Sequence, residues 1–208
     1  MKKSKNVVKV FIDKIKKETS KRGIKTRLKN KKYVIVQGSN ISGYFDYGDK
    51  YEIVCTINKS MNKWLSSLVH EFSHYEQWRD SVYAWTASFI GEDDASTLFF
   101  DWIDKKKEFS KNKISEIIRK TKIAEIDCDK RSVKNIKKYK LPLDISTYIQ
   151  KANSYILFHN YAGIRRKWWK KNHAPYELKE VYSQFPKRFL KNYTKIAQKY
   201  VDLFDQYC

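Results

Sequence analysis

The segment Ser66-Ser-Leu-Val-His70-Glu71-Phe-Ser-His74 holds two histidines four residues apart, with a glutamate directly after the first. On a helix such positions share one face at about 6 Å, so both imidazoles can reach a single metal ion. The chemistry this suits is metal-assisted hydrolysis. The imidazole nitrogens hold a divalent cation, and Glu71, which is not a ligand, is available to take a proton from water. The plain alternative is a surface helix that happens to carry these residues. Against it, Leu65, Leu68, Val69 and Phe72 gather on the opposite face, and the small Ser67 and Ser73 sit on the histidine side.

Two imidazoles do not complete a catalytic zinc site, which takes three protein ligands and keeps one position for water. Glu125 is the expected third ligand. It interrupts an inward-facing stripe at helical spacing, Ile114, Ile118, Thr121, Glu125, Cys128, Ser132 and Ile136, and a buried carboxylate calls for a cation. The small Cys128 and Ser132 would let this helix approach the histidine-bearing one closely. Asp129, one turn beyond Glu125, can accept a hydrogen bond from the outer nitrogen of a ligand imidazole. The competing reading of Glu125 is an ion pair with Lys122 or Arg131. Cys128 is read as packing, since a thiolate ligand would give the site a structural character.

HExxH followed on a later helix by Glu125-Ile-Asp-Cys-Asp129, an ExxxD pattern, resembles the gluzincins, the thermolysin-like zinc peptidases. That resemblance implies Zn2+ on His70, His74 and Glu125, with Glu71 as the catalytic base and Asp129 orienting a ligand. It covers the two motifs and the strand-then-helix order before the first. The chain departs from thermolysin in carrying Thr121 four residues before Glu125, and it lacks the metzincin extension, since Trp78 and Asp80 follow His74. It is similar in this to small soluble zincin-like proteins of bacteriophages.

The elements that must position these residues are legible in outline. Val8, Phe11, Ile12 and Ile15 predict a helix over 7–22, capped at Gly23. Tyr33–Gln37, Gly43–Asp46 and Tyr51–Ile57 predict a small antiparallel sheet, with turns at Gly38–Asn40 and Tyr47–Lys50, and with Tyr51–Ile57 as a half-buried strand. Helices are expected near 60–79, 94–108, 112–139, 145–171 and 188–207. The fold class is α+β, a small antiparallel sheet followed by a mostly helical zincin-like body, taken as a single domain over 1–208.

His159 and His173 are further candidates that could face the site, although each is more often a satisfied core or surface histidine. Trp168-Trp169 among Arg165, Arg166, Lys167, Lys170 and Lys171 could stack bases and hold phosphates, or could cap a core edge under lysine stems. The net charge of +21, from 44 Lys and Arg against 23 Asp and Glu, favours polyanionic partners, but lysines strewn along the chain also fit a lysine-rich genome.

Three cysteines without a CxxC pair point to a reducing compartment. The basic start leads to no apolar signal segment, and no run of about 18 apolar residues occurs, so a cytoplasmic location, in a host cell or virion if phage-encoded, is expected without a membrane. The function expected is zinc-dependent hydrolysis of a protein or peptide, with an extended substrate pairing along strand 51–57. The alternative is a nucleic-acid-associated or virion structural protein whose zinc serves only as a staple.

Overall fold

The computed structural model describes residues 2–36, 39–169 and 174–208. In chain order the elements are α1 (Lys2–Ser20), β1 (Lys25–Lys29), β2 (Val34–Val36), β3 (Ser39–Ile41), β4 (Gly43–Asp46), β5 (Glu52–Thr56) and α2 (Met61–Arg79). They continue as α3 (Tyr83–Thr86), β6 (Phe89–Ile90), β7 (Asp93–Asp94), α4 (Ala95–Ile103), α5 (Lys111–Lys138), α6 (Ile145–Arg165), α7 (Lys179–Tyr182) and α8 (Gln198–Tyr207). The fold is α+β, with helix dominant. The chain makes two compact units. One comprises 1–80 and 128–145, the other 81–127 and 146–208, and α5 runs from the second into the first.

In the first unit the apolar stripe of α1 buries Phe11 and Ile15 completely. The helix ends where expected, because Gly23 takes φ +72, a left-handed conformation that costs glycine little. The chain then enters β1, a strand absent from the sequence reading. Its Lys-Thr-Arg-Leu-Lys composition hides the β signal under charge.

The sheet has the order β1-β5-β4, with β1 parallel and β4 antiparallel to β5. It is therefore mixed and not purely antiparallel. Strand β5 lies in the middle, and all five of its residues are buried. This corrects the half-buried reading of 51–57, and it removes that strand as an edge for substrate. The edges of this sheet are β1 and β4.

Even Glu52, on β5, is buried. Arg27 Nε donates to it at 2.7 Å and Tyr44 Oη at 2.6 Å. β2 and β3 form a separate antiparallel pair, so Ser39 and Asn40 belong to a strand where a turn was expected; Gln37 and Gly38 lie outside the described residues.

α2 buries Leu65, Leu68, Val69 and Phe72 completely, on the face the sequence assigned. The Cys128–Lys138 part of α5 packs against it through small and polar side chains. Ser132 Oγ donates to Ser73 Oγ at 3.0 Å, and Asn135 Nδ2 donates to Glu76 Oε2 at 2.7 Å. Cys128 and Ser132 are both fully buried, and their size permits this approach.

The second unit encloses an aromatic core built on Phe99, Trp102, Phe158, Tyr161, Phe185 and Phe204. The helix expected over 188–207 begins only at Gln198. Buried amides compete for its carbonyls: Asn153 Nδ2 donates to Pro186 O and Arg188 O, and Asn160 Nδ2 to Tyr193 O. Tyr193 O, which accepts from both Asn160 Nδ2 and Lys122 Nζ, has both lone pairs occupied and cannot also accept a helical hydrogen bond. The helix expected over 94–108 stops at Ile103 and the one expected over 145–171 at Arg165, where Arg166 adopts φ +46.

Candidate metal centre

The geometry of the histidine pair follows from helix α2. His70 Nε2 and His74 Nε2 face each other at 3.2 Å. Each outer nitrogen is held by an oxygen. Asp129 Oδ1 lies 3.1 Å from His70 Nδ1, and Gln77 Oε1 lies 2.8 Å from His74 Nδ1. A carboxylate and an amide carbonyl only accept, so both Nδ1 atoms carry the proton and donate. Both Nε2 lone pairs then point into the same small space. In the absence of a metal ion a proton on one Nε2, donated to the other, relieves their repulsion; a metal ion replaces that proton and takes both lone pairs. Two imidazoles on a tetrahedral zinc, at about 2.0–2.1 Å each, place their nitrogens about 3.3 Å apart, which matches the observed spacing.

Cys128 joins the two histidines. His70, His74 and Cys128 present ligand atoms that all lie within 4.8 Å of one another, and this group could hold a metal ion. The sulfur approaches from the Nδ1 edge of His70, at 3.6 Å, and its thiol donates to the His70 carbonyl at 3.3 Å. The sequence reads Cys128 as packing. It is fully buried, as packing requires, and it also belongs to the convergent group.

Glu71 is half-buried on α2. Strand β4 passes beside it at Gly43, where a Cβ would stand 3.2 Å from Glu71 Cγ and 2.6 Å from Val54 O. Only glycine lets β4 come so close to both. Burial, aided by the negative charge of Glu71, pushes the Cys55 thiol up to about 12, so it stays protonated.

Glu125 is not in the convergent group. It is half-buried in the second unit, where its charge acts on His159 and Tyr176. Burial pulls His159 down to about 4, against the opposing effect of Glu125, so the imidazole is neutral at pH 7. His159 Nδ1 donates to Tyr155 O at 3.1 Å. Of the two cations considered as its partners, Lys122 donates to Asn160 Oδ1 and Tyr193 O, and Arg131 stands 3.8 Å from Asp80.

Gln77 escaped the sequence reading. Its signal was its place three residues after His74, which puts it on the same helix face, combined with a buried amide that needs a partner. His173, Lys170 and Lys171 lie outside the described residues.

Trp168 and Trp169 pack on the core of the second unit, with Trp168 5.0 Å from the Phe158 ring. The basic residues before them are engaged. Arg165 pairs with Asp205 at 2.5 Å, Arg166 with Glu108 at 2.6 Å, and Lys167 donates to Cys208 O at 3.1 Å. Comparison with family models, curated proteins and solved structures returned no match to this chain. No helix among the described residues is long and apolar enough to cross a membrane.

Proposed function

We propose that this chain is a zinc-dependent metallopeptidase. The observation that supports it most is the His70–His74 pair, 3.2 Å apart at Nε2 with both Nδ1 atoms committed to acceptors. Bound zinc supplies a Lewis acid that lowers the pKa of water towards about 7. Glu71, beside the histidines and not itself a ligand, takes the proton of the attacking water and returns it to the leaving amine. In this reading Glu125 completes the ligand set and Asp129, one turn later on α5, orients His70. The sheet edge offered to an extended peptide is β4, the strand that passes Glu71 at Gly43.

A second reading rests on Cys128. A site of His70, His74 and Cys128 is closed by a thiolate, and zinc there holds α2 to the Cys128–Lys138 part of α5 without catalysing anything. The two readings are separated by zinc stoichiometry and casein cleavage. The peptidase reading expects close to one zinc per chain and retention of that zinc with loss of cleavage in Glu71→Gln. It also expects a fall of at least about tenfold in zinc affinity in Glu125→Gln, with Cys128→Ser nearly unchanged. Loss of zinc in Cys128→Ser with none in Glu125→Gln would establish the structural site.

A further inference from the structure

We infer that the outer edge of the first unit's sheet, where the end of α1 meets β1, binds the phosphodiester backbone of nucleic acid. The inference stands apart from the zinc reading.

Residues Lys14 to Lys32 carry ten Lys or Arg and a single acid, Glu18, a net +9 of the chain's +21. The positive charge is therefore concentrated and not merely strewn. Lys14 pairs with Glu18, and Arg27 with Glu52. Lys16, Lys17, Lys21, Lys25, Lys31 and Lys32 form no ion pair among the described residues, and all six are exposed. Between α1 and β1 lies a groove of about 480 Å³, lined by Lys16, Lys25 and Arg27 together with Ser20 and Thr26.

Two ordinary roles account for part of this charge. Lysines in a last turn favour the helix C-terminus, and charged side chains on an edge strand discourage unwanted pairing. Either role is met by one or two cations. A net +9 on neighbouring segments repels itself, a cost that salt screens in part and a bound polyanion reverses.

The shape argues for a strand of phosphates. Lys17 and Lys21 precede β1 in the chain and Lys31 and Lys32 follow it, all exposed and none of them lining the groove, so the charge is not confined to the groove. A compact anion would use the groove alone. No large apolar side chain within 14–32 is exposed, although Val10, Tyr33 and Ile35 beside it are, so a membrane surface is the outcome the vesicle measurement below tests against. No aromatic lines the groove, so contact is to backbone and carries no base preference. β1 and β4 are opposite edges of one sheet. A nucleic acid held at β1 thus lies along the edge away from β4 and Gly43.

The test measures binding of the full chain to a fluorescein-labelled 20-base-pair duplex between 50 and 200 mM salt. Wild type is expected to bind at 50 mM, with affinity falling steeply as salt rises. Lys16→Gln with Lys25→Gln should lower the log–log salt slope by about 1.8, since each phosphate contact contributes about 0.9, and should cost at least about tenfold at 50 mM. Lys16→Arg with Lys25→Arg should restore both. The control pair Lys191→Gln and Lys195→Gln, exposed residues of the second unit, removes the same charge and should change affinity less than about twofold. Equal loss in the control pair, no duplex binding at 50 mM, or binding to phosphatidylserine vesicles in preference to duplex would each overturn the inference.

Discussion

Gln77 offers the sharpest test of the histidine geometry, because its Oε1 is the acceptor beside His74 Nδ1. Gln77→Leu keeps a buried side chain of similar bulk on α2 and deletes the acceptor 2.8 Å from His74 Nδ1. The imidazole then has a choice. It can keep the proton on Nδ1 and leave a buried donor unsatisfied, at a cost of about 1–3 kcal/mol. Alternatively it can move the proton to Nε2 and donate to His70 Nε2, 3.2 Å away, which closes the space between the rings. In the first case the penalty is carried with and without metal and lowers the stability of the fold; in the second a metal must first return the proton to Nδ1 and so works against a penalty absent in the native chain. At 1.4 kcal/mol per tenfold, that penalty lowers zinc affinity by about 5- to 150-fold, which overlaps the 10- to 100-fold usual for outer partners of ligand histidines. The assay is zinc competition against a chromophoric chelator at pH 7, with metal-free circular dichroism to confirm that the fold is kept. Gln77→Glu retains an acceptor and should retain affinity. Zinc affinity within twofold of native in Gln77→Leu, with the stability of the fold also unchanged, would refute the argument that the Nδ1 contacts fix the lone pairs on the metal.

Two further outcomes are expected. Gly43→Ala puts a methyl 2.6 Å from a backbone oxygen, so β4 must shift, and thermal unfolding should show a loss of about 1–3 kcal/mol together with reduced cleavage; an unchanged midpoint would mean that β4 can move freely beside Glu71. Burial pulls Lys122 down from 10.5 to about 8, so between those pH values the unfolded chain binds the extra proton and stability rises with pH. The gain, up to about 3 kcal/mol, should appear as a widening of the denaturant stability of native protein over Lys122→Met from pH 8 to 10.5, and a constant difference would show that the lysine is hydrated.

The helices that carry the site were readable because their apolar stripes persist: α2 and α5 begin and end within about a residue of the periodicity. The sheet was read less well, for a reason visible in β1 and β5. β1 hides a strand beneath Lys25, Arg27 and Lys29, while β5 looks amphipathic but lies between two strands, where Glu52 is made tolerable by Tyr44 and Arg27. Pairing partners at a separation of 27 residues leave no local trace.

The same limit governs the metal group. Periodicity put Glu125 and Cys128 in one stripe of α5, but a stripe on a 28-residue helix does not say which neighbour each turn will meet. Cys128 and Asp129 begin the portion of α5 that belongs with α2, and there they reach His70; Glu125 lies one turn earlier, in the other unit, with His159 and Tyr176 as its electrostatic neighbours. Spacing along one helix fixes direction to about a quarter turn, and the identity of the third ligand depends on the chain that packs over that direction. Zinc affinities of Glu125→Gln and Cys128→Ser, unlike any pattern in the sequence, respond to that packing directly.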